Sequence, residues 1–423
     1  MIPAITSSTI YSKLGNNSSL VPLAIKDIAN SCGLTAASYM SGDKNEGKDR
    51  FIDEFGTQAI WLWGIPAYKK IMDLAMFKPA KLDPKVDVRI FKNPEILIAA
   101  KEFAPTKAIK ESLEYAASHQ KLAKNLNLAK FAASTILTTL TYFGLTKFRH
   151  KYTENQIKKE LEQEKQLKKD TFTNGNKPSQ NTNGKDVPFT GGFQDFIFDP
   201  VKNLMIVDGS ITGERLTHAR NPQDFFGYAI KEGSFWAFMY LAGPMRSKAL
   251  EKQADKKGKS IDLDARVIFN EDLKTSFANG TLKKHLEQFK LADKSDVDIY
   301  KFAVNPKNKN IVVDFAKKSD VIGLIKGSDS VVDTRKYIDL GELRGVSSKL
   351  EKLLAQYEKS GETLDDFFKS VRSLKKGAVL KNIGACIGAL GVLAPAIMLL
   401  VRQFSPEYQV KKDIEEKLAK ENK

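Results

Sequence analysis

The chain has 423 residues, of which 42% are hydrophobic, and a formal net charge of +16 at pH 7. This hydrophobic fraction is ordinary for a folded protein and excludes a compact polytopic transporter, so most of the mass is expected in water or at an interface. The positive charge fits either a nucleic acid or an anionic membrane surface. Because the basic residues are dispersed and their densest groups adjoin apolar segments, we favour the membrane. With only 2 cysteines, the chain has no disulfide framework to predict.

Composition shifts divide the chain into six parts. In chain order we expect an amino-terminal segment, a first helical half, a disordered linker, a region around a second aromatic helix, a soluble helical region, and a membrane span with a charged tail. These parts are residues 1–49, 50–169, 170–192, 193–262, 263–368 and 369–423.

The first helical half contains two apolar segments. Residues 54–66, EFGTQAIWLWGIP, are too few to span a bilayer alone. Their Trp61 and Trp63 suit the headgroup level, which predicts an interfacial or re-entrant helix, with a core helix as the alternative. Residues 131–146 carry no charge and are rich in threonine. They predict a second membrane span or, equally, a buried helix.

The linker and the segment after it differ sharply in composition. Residues 170–192 are rich in Asn, Gly, Ser, Thr and Lys, and such a stretch buries too little apolar surface to offset its ordering entropy. We therefore expect disorder there. Phe196–Val207, FIFDPVKNLMIV, offers two short β-type runs about Pro200 and predicts a small β-hairpin.

The densest collection of reactive side chains follows, in VDGSITGERLTHAR, residues 207–220. A carboxylate, a histidine and a hydroxyl are the parts of a hydrolytic site, and guanidinium groups pair with phosphate. A plain solvent-exposed loop is the interpretation we favour over catalysis or headgroup binding, because Asp-Gly-Ser is ordinary turn chemistry. The candidate ligand-binding residues are Asp208, Glu214, Arg215, His218 and Arg220.

A second aromatic segment, Glu232–Pro244, repeats the layout of residues 54–66. In both, a Glu precedes a Pro by twelve positions and the interval is aromatic and apolar. Trp236 is the interfacial residue here, and a core helix is again the alternative.

Two helices are well signalled before the last apolar run. Ser348 and Glu351 form an S-x-x-E capping box that predicts a helix start, and Gly361 predicts its end. Thr363 predicts the start of the next helix, whose apolar stripe beside Lys and Arg is typical of a helix on a bilayer surface.

The carboxyl-terminal part contains the longest apolar run, Ile383–Val401. Nineteen residues without charge nearly match the roughly 30 Å core of a bilayer, which predicts a membrane span. A buried core helix is the alternative. Cationic side chains at both ends, Lys376, Lys381 and Arg402, suit anionic headgroups.

Small residues within this run predict helix packing. Gly384 and Gly388 form a GxxxG motif that Gly391 extends, so another helix can approach closely. Pro395 predicts a kink. The helix is therefore expected to support a homo- or hetero-oligomer.

The segments FIDEFGTQAIWLWGIP, VPFTGGF, DTRKYIDL and IGALGVLAPAIMLLV resemble segments that recur in a group of uncharacterised bacterial membrane-associated proteins. The resemblance covers at most a third of the chain. The group has no established activity, so the resemblance implies only a location in the bacterial inner (plasma) membrane.

Together these patterns predict a mainly α-helical, membrane-associated protein with one or two spans, a small β-hairpin and a disordered linker. No nucleotide-binding, metalloprotease or serine-hydrolase motif occurs, and no cofactor or metal is expected. The leading function is a non-enzymatic membrane scaffold or assembly component whose partner is the bilayer. The alternatives are an enzyme or binder acting on a lipid or phosphorylated headgroup, and a basic nucleic-acid-associated protein, although no specific nucleic acid is expected.

Overall fold

The computed structural model describes residues 7–16, 20–40, 44–167, 199–219, 222–316 and 332–403. It is mainly helical, as predicted, and the described residues contain no β-strand. The α-helices are α1 (Ser7–Leu14), α2 (Val21–Met40), α3 (Lys44–Ala59), α4 (Ile65–Met72), α5 (Pro94–Glu102), α6 (Lys107–Ser118), α7 (Gln120–Leu167), α8 (Pro200–Thr217), α9 (Pro222–Trp236), α10 (Gly243–Asp255), α11 (Ala265–Ile268), α12 (Glu271–Ala278), α13 (Thr281–Ala292), α14 (Asp296–Val304), α15 (Ile311–Ala316), α16 (Leu340–Ser360), α17 (Leu364–Gly388) and α18 (Ala394–Gln403).

Several of these helices continue into one another through wider turns. A π-helical segment has i to i+5 hydrogen bonds and shifts the helix face by one residue. A short 3₁₀ turn also precedes α5. The π segments are π1 (Ile60–Gly64), π2 (Asp73–Phe77), π3 (Ala237–Ala242) and π4 (Ala389–Leu393), and the 3₁₀ turn is Val88–Lys92.

The predicted β-hairpin at Phe196–Val207 is wrong, because residues from Pro200 onward form α8. Asp199 caps this helix, its side chain accepting hydrogen bonds from the backbone N–H groups of Val201 and Lys202. Pro200 occupies the first turn, where its missing N–H costs nothing. This start signal outweighs the β preference of the residues that follow.

The predicted parts map unevenly onto the helices. The boundary at residue 50 falls inside α3, and the boundary at residue 369 falls inside α17. The predicted linker, 170–192, and the tail beyond residue 403 lie outside the described residues.

One half of the molecule, which we call the head, has an ordinary apolar core. It is built from the chain around 77–126 and 254–374, within the described ranges. The largest completely buried side chains here include Phe289, Phe367, Phe368 and Tyr300. The stripe that begins α17 therefore packs into the head instead of lying on a surface.

The other half, which we call the bundle, differs from the head in having many polar and charged side chains in its interior, beside two small apolar clusters. It consists of α2, α3, α4, α7, α8, α9 and α18 with π1, π3 and π4. Its interior contains buried polar and charged side chains, namely Asn30, Ser31, Thr35, Ser38, Asp53, Glu54, Gln58, Ser134, Thr138, Thr146, Arg149, Asn203, Arg215, Lys231 and Glu232. Its exterior carries large apolar side chains at least 49% exposed, namely Met40, Phe51, Trp63, Ile71, Ile136, Leu140, Phe148, Phe226, Leu241, Val392, Leu393 and Leu400.

Within the described residues, one helical stretch is long and apolar enough to cross a bilayer. It is Leu364–Leu400, formed by α17, π4 and most of α18, and 39% of its most apolar window is buried in the protein. It contains most of the predicted run Ile383–Val401. The predicted second span, residues 131–146, forms the middle of α7.

Candidate functional site

The bundle interior holds a cluster of eight charged side chains, which we call the ion cluster. Four helices contribute to it, and every member is at most 5% exposed. The members are Asp49, Arg50, Asp53 and Glu54 on α3, Arg149 on α7, Arg215 on α8, and Lys231 and Glu232 on α9.

Asp53 is the centre of the ion cluster. One carboxylate oxygen accepts hydrogen bonds from Tyr142 Oη at 3.0 Å and from Arg215 at 3.3 Å. The other lies 3.3 Å from an Arg149 nitrogen and 3.8 Å from Lys231 Nζ. At 1% exposure this carboxylate has exchanged its hydration for contacts from three other helices.

Arg215 joins Asp53 to the far side of the cluster. Its guanidinium donates to Glu232 at 2.5 Å and to Thr57 Oγ1 at 3.2 Å, and its Nε donates to Tyr142 Oη at 2.5 Å. Lys231 in turn lies 2.7 Å from Glu54. The fork of the guanidinium therefore links α3, α7 and α9 to α8.

The charges of the cluster balance. Arg50, Arg149, Arg215 and Lys231 supply four positive charges against the four carboxylates of Asp49, Asp53, Glu54 and Glu232. A group with no net charge is the form in which ions are least costly to bury. Each member also pairs with another member, so the cluster joins helices and presents no charge to a substrate.

Two further carboxylates lie near the cluster without a cation. Asp27 on α2 accepts a hydrogen bond from Trp61 Nε1 at 3.0 Å, and Asp208 on α8 accepts one from Tyr240 Oη. Within the described ranges neither has an ion-pair partner within 4 Å. Asn30 lies one turn along α2 from Asp27. Both of its polar side-chain atoms are buried, and neither has a hydrogen-bond partner among the described residues.

The predicted reactive segment, residues 207–220, is helical as far as Thr217, so most of it is not a loop. Glu214 is buried near Thr146 Oγ1, at 3.4 Å, and lies 3.8 Å from His218, whose side chain is 56% exposed. Asp208 lies about 9 Å before Glu214 along the helix axis and on another face of the helix. The helix therefore separates Asp208 from Glu214 and His218, and it directs Arg215 into the ion cluster.

Arg220 lies outside the described residues. His218 contacts the Phe143 ring edge-on, with centroids 5.5 Å apart. No pocket that brings Asp208, Glu214 and His218 together follows from these positions.

The glycines of the last apolar run divide into two kinds. A Cβ on Gly384 or Gly388 would meet nothing within 4 Å, and both residues are exposed. Gly391 instead packs on α2, where a Cβ would lie 3.0 Å from the carbonyl oxygen of Ala29. Pro395 is buried just beyond π4.

The predicted interfacial residues have different environments. Trp61 is 5% exposed and Trp63 is 71% exposed, so two positions only two residues apart face the interior and the exterior. Trp236 is partly buried and donates to Thr212 Oγ1 at 3.0 Å. Lys376 lies 4.8 Å from the centre of the Tyr11 ring, and Lys381 is exposed. Arg402 belongs to α18, and its side chain is outside the described set.

The sequence reasoning missed the π segments, although a signal was present. Each of the four ends two residues before a proline: Pro66, Pro79, Pro244 or Pro395. Proline lacks an N–H and crowds the carbonyl four residues earlier, and a wider turn relieves that contact. Ile65 accordingly donates to Ile60, five residues back. The two aromatic segments resemble each other in sequence because each contains such a π segment followed by a proline.

Within the described residues, no group of three or more His, Cys, Asp or Glu side chains is arranged to hold a metal ion. Compared with protein-family models, curated proteins and solved structures, the chain shows no match.

Proposed function

We propose that the bundle is embedded in a lipid bilayer and that the protein is a non-enzymatic membrane scaffold or assembly component. The observation that carries this proposal is the reversed distribution of side chains, with charges inside and large apolar groups outside. In water such an exterior is costly, whereas against lipid it is favourable. The inner (plasma) membrane is the location we propose, on the resemblance to bacterial membrane-associated proteins.

A membrane location also explains why the charges pair with one another. An uncompensated charge at membrane depth is costly, so ionisable groups there face the interior and pair. Between helices in lipid there is little hydrophobic driving force, and polar contacts therefore hold the helices together. We therefore propose that the ion pairs of the cluster hold α3, α7, α8 and α9 in one packing arrangement.

Extraction of membranes with carbonate at high pH tests the location. We expect the intact chain to remain in the membrane pellet, as a protein with apolar helices in the bilayer does. Recovery of the folded chain in the wash, together with peripheral proteins, would contradict the proposal.

Assembly is proposed to use the exposed face of α17 that contains Gly384 and Gly388. Both glycines are open, while Gly391, in π4 just beyond this helix, is already packed against α2. Small residues let two helix backbones approach closely in lipid. The occupant we propose is the same face of a second copy, because a single GxxxG face is complementary to itself.

Cross-linking of the protein in native membranes tests this face. Replacing both Gly384 and Gly388 with Ile should abolish the dimer band. Gly144→Ile is the matched control, since Gly144 is an exposed glycine of α7 with nothing within 4 Å of its Cβ. A dimer that survives the double change but is lost in the control would place the interface on α7 instead.

A second function, passage of protons or cations through the bundle, is favoured by one observation. Asp27 and Asp208 are carboxylates without a cation partner in the described ranges, and unpaired acidic groups inside a membrane bundle are typical of ion pathways. Proteoliposomes with an entrapped pH dye test this function. Asp208→Asn should abolish a proton flux that the Glu214→Gln control retains, and wild-type liposomes without any flux would exclude it.

A further inference from the structure

A cavity of about 50 Å³ lies where α1, α2, α10 and α17 meet, at the junction of the bundle and the head. At roughly 10–15 Å³ for each enclosed water, it has room for about three to five water molecules or one tetrahedral oxyanion. Its polar lining consists of Lys26, Ser247, Glu251, Lys375 and Asn382.

Lys26 is the feature that points to a ligand. Its side chain lines the cavity, the residue is 6% exposed, and within the described ranges it makes no hydrogen bond or ion pair. Its Nζ lies beside Gly243, about where α10 begins: a Cβ built on that glycine would be 3.5 Å away. A largely buried ammonium group with no anion beside it has lost most of its hydration, which is costly. An anion in the cavity would remove that cost.

Lys375 supplies a second ammonium group at the same cavity. It is 5% exposed and donates to the carbonyl oxygens of Ile261 at 2.8 Å and Leu263 at 2.7 Å. An ammonium group has three protons to donate. One donor therefore remains for a ligand, and the two carbonyls hold the side chain in place.

Asn382 adds an orphaned amide. Its Oδ1 is buried and has no hydrogen-bond partner in the described part of the chain. Because amide oxygen and nitrogen positions exchange by a half-turn, the same side chain can present two N–H donors to the cavity. An anion would take these donors, whereas a cation would take the oxygen but would meet both lysines.

Glu251 limits the charge of the ligand. It accepts a hydrogen bond from Ser247 Oγ at 3.1 Å and is the one carboxylate among the lining residues. Two ammonium groups and one carboxylate leave a net charge of +1 around the cavity. A monoanion matches this lining better than a dianion does.

We propose that this cavity binds a phosphate group with one negative charge, as a phospholipid phosphodiester or as inorganic phosphate in its monoanionic form. Ile383, the first residue of the predicted membrane span, also lines the cavity, which places it at the level where headgroups lie if the bundle is in a bilayer. Basic pockets between helices at that level are typical headgroup sites. Binding of inorganic phosphate would not require the membrane location.

Calorimetric titration of the delipidated full chain in a neutral detergent tests the proposal. One arm adds a short-chain phosphatidylglycerol, a second adds inorganic phosphate near pH 6, and a third adds short-chain phosphatidylcholine as the zwitterionic comparison. We expect Lys26→Gln to weaken binding at least about tenfold, the effect of losing a hydrogen bond to a charged group.

Lys381→Gln is the matched control, because it removes an exposed lysine from the same helix and should leave affinity unchanged. Asn382→Ala is the second variant and should also weaken binding, so the test survives if Lys26→Gln does not fold. Binding of phosphatidylglycerol alone identifies a headgroup site, and binding of phosphate identifies a free-anion site. If neither anion binds, or if both variants bind like wild type, the proposal is overturned.

Discussion

Removing one charge from the ion cluster gives the sharpest test of how the bundle is held together. Arg215→Met deletes the guanidinium that donates to Asp53, Glu232 and Tyr142 and leaves the cluster with a net charge of −1. Breaking a buried ion pair by removing one partner costs about 3–5 kcal/mol, because the remaining carboxylates stay buried. We expect a loss of that size in the free energy of unfolding.

A double-mutant cycle separates this charge effect from the loss of packing. Adding Glu232→Gln to Arg215→Met restores the balance, so the double variant should be more stable than the sum of the single changes by roughly 1–3 kcal/mol. The assay is unfolding in mixed micelles of SDS and neutral detergent, followed by circular dichroism.

Arg344→Met is the control, since this arginine pairs with Asp293 and Asp296 on the surface and is 41% exposed. An exposed pair of this kind is worth about 1 kcal/mol or less. If Arg215→Met costs no more than Arg344→Met, or if the cycle is additive, the ion cluster does not fix the helices.

The remaining predictions concern packing and pH. Gly33→Ala would place a Cβ 2.1 Å from the backbone oxygen of Gly391, so it should lower the free energy of unfolding by about 1–3 kcal/mol in thermal unfolding, while Gly384→Ala, with nothing within 4 Å, should be neutral. In the head, hydrogen bonds from Arg335 hold the pKa of Asp333 below its usual value even though partial burial raises it. A lowered pKa in the folded state contributes stability that is present above the unfolded value of about 3.9 and is lost as the pH falls through the folded pKa. Thermal unfolding between pH 3 and pH 7 should therefore show Asp333→Asn less stable than wild type near neutrality, with the difference shrinking in acid.

Helix ends were predictable where the signal was local. Thr363 accepts a hydrogen bond from the Asp366 N–H and begins α17, and Gly361, with φ of +64°, ends α16, so both predictions are confirmed. The start predicted at Ser348 is wrong. α16 begins at Leu340, capped by Asp339, whose side chain accepts from the Glu342 N–H. An S-x-x-E sequence can also lie inside a helix. When an earlier residue caps the helix, nothing in these four residues stops the helix from continuing through them.

The ion cluster was not predictable in the same way. Asp53 pairs with Arg149 and Arg215, which lie 96 and 162 positions later in the sequence. Such pairs are chosen by how helices pack, and any solvated charge on an amphipathic helix looks the same in the sequence. The apolar runs 131–146 and 383–401 themselves contain no charged residue. The charges lie at their flanks and on neighbouring helices.

The prolines connect the predicted repeat to the packing of the bundle. Trp61, Met239 and Leu390 each lie five residues before a proline, within π1, π3 and π4. All three are at most 5% exposed and belong to one hydrophobic cluster, which also contains Leu23, Leu204 and Phe235.

Three segments with the same π turn thus contact one another in this cluster, each through the residue five positions before its proline. This relation extends the two aromatic segments recognised in the sequence to a third, in the middle of the predicted membrane span. The first two segments also carry their charges in register, since Glu54 and Glu232 each lie twelve positions before the proline and both face Lys231. Because a π turn moves every later side chain to a new face of its helix, each proline decides which residues of its helix reach the shared cluster. The prolines therefore fix the packing of the bundle together with the ion cluster, and a change of one proline should rearrange the interior more than the loss of its own few contacts would suggest.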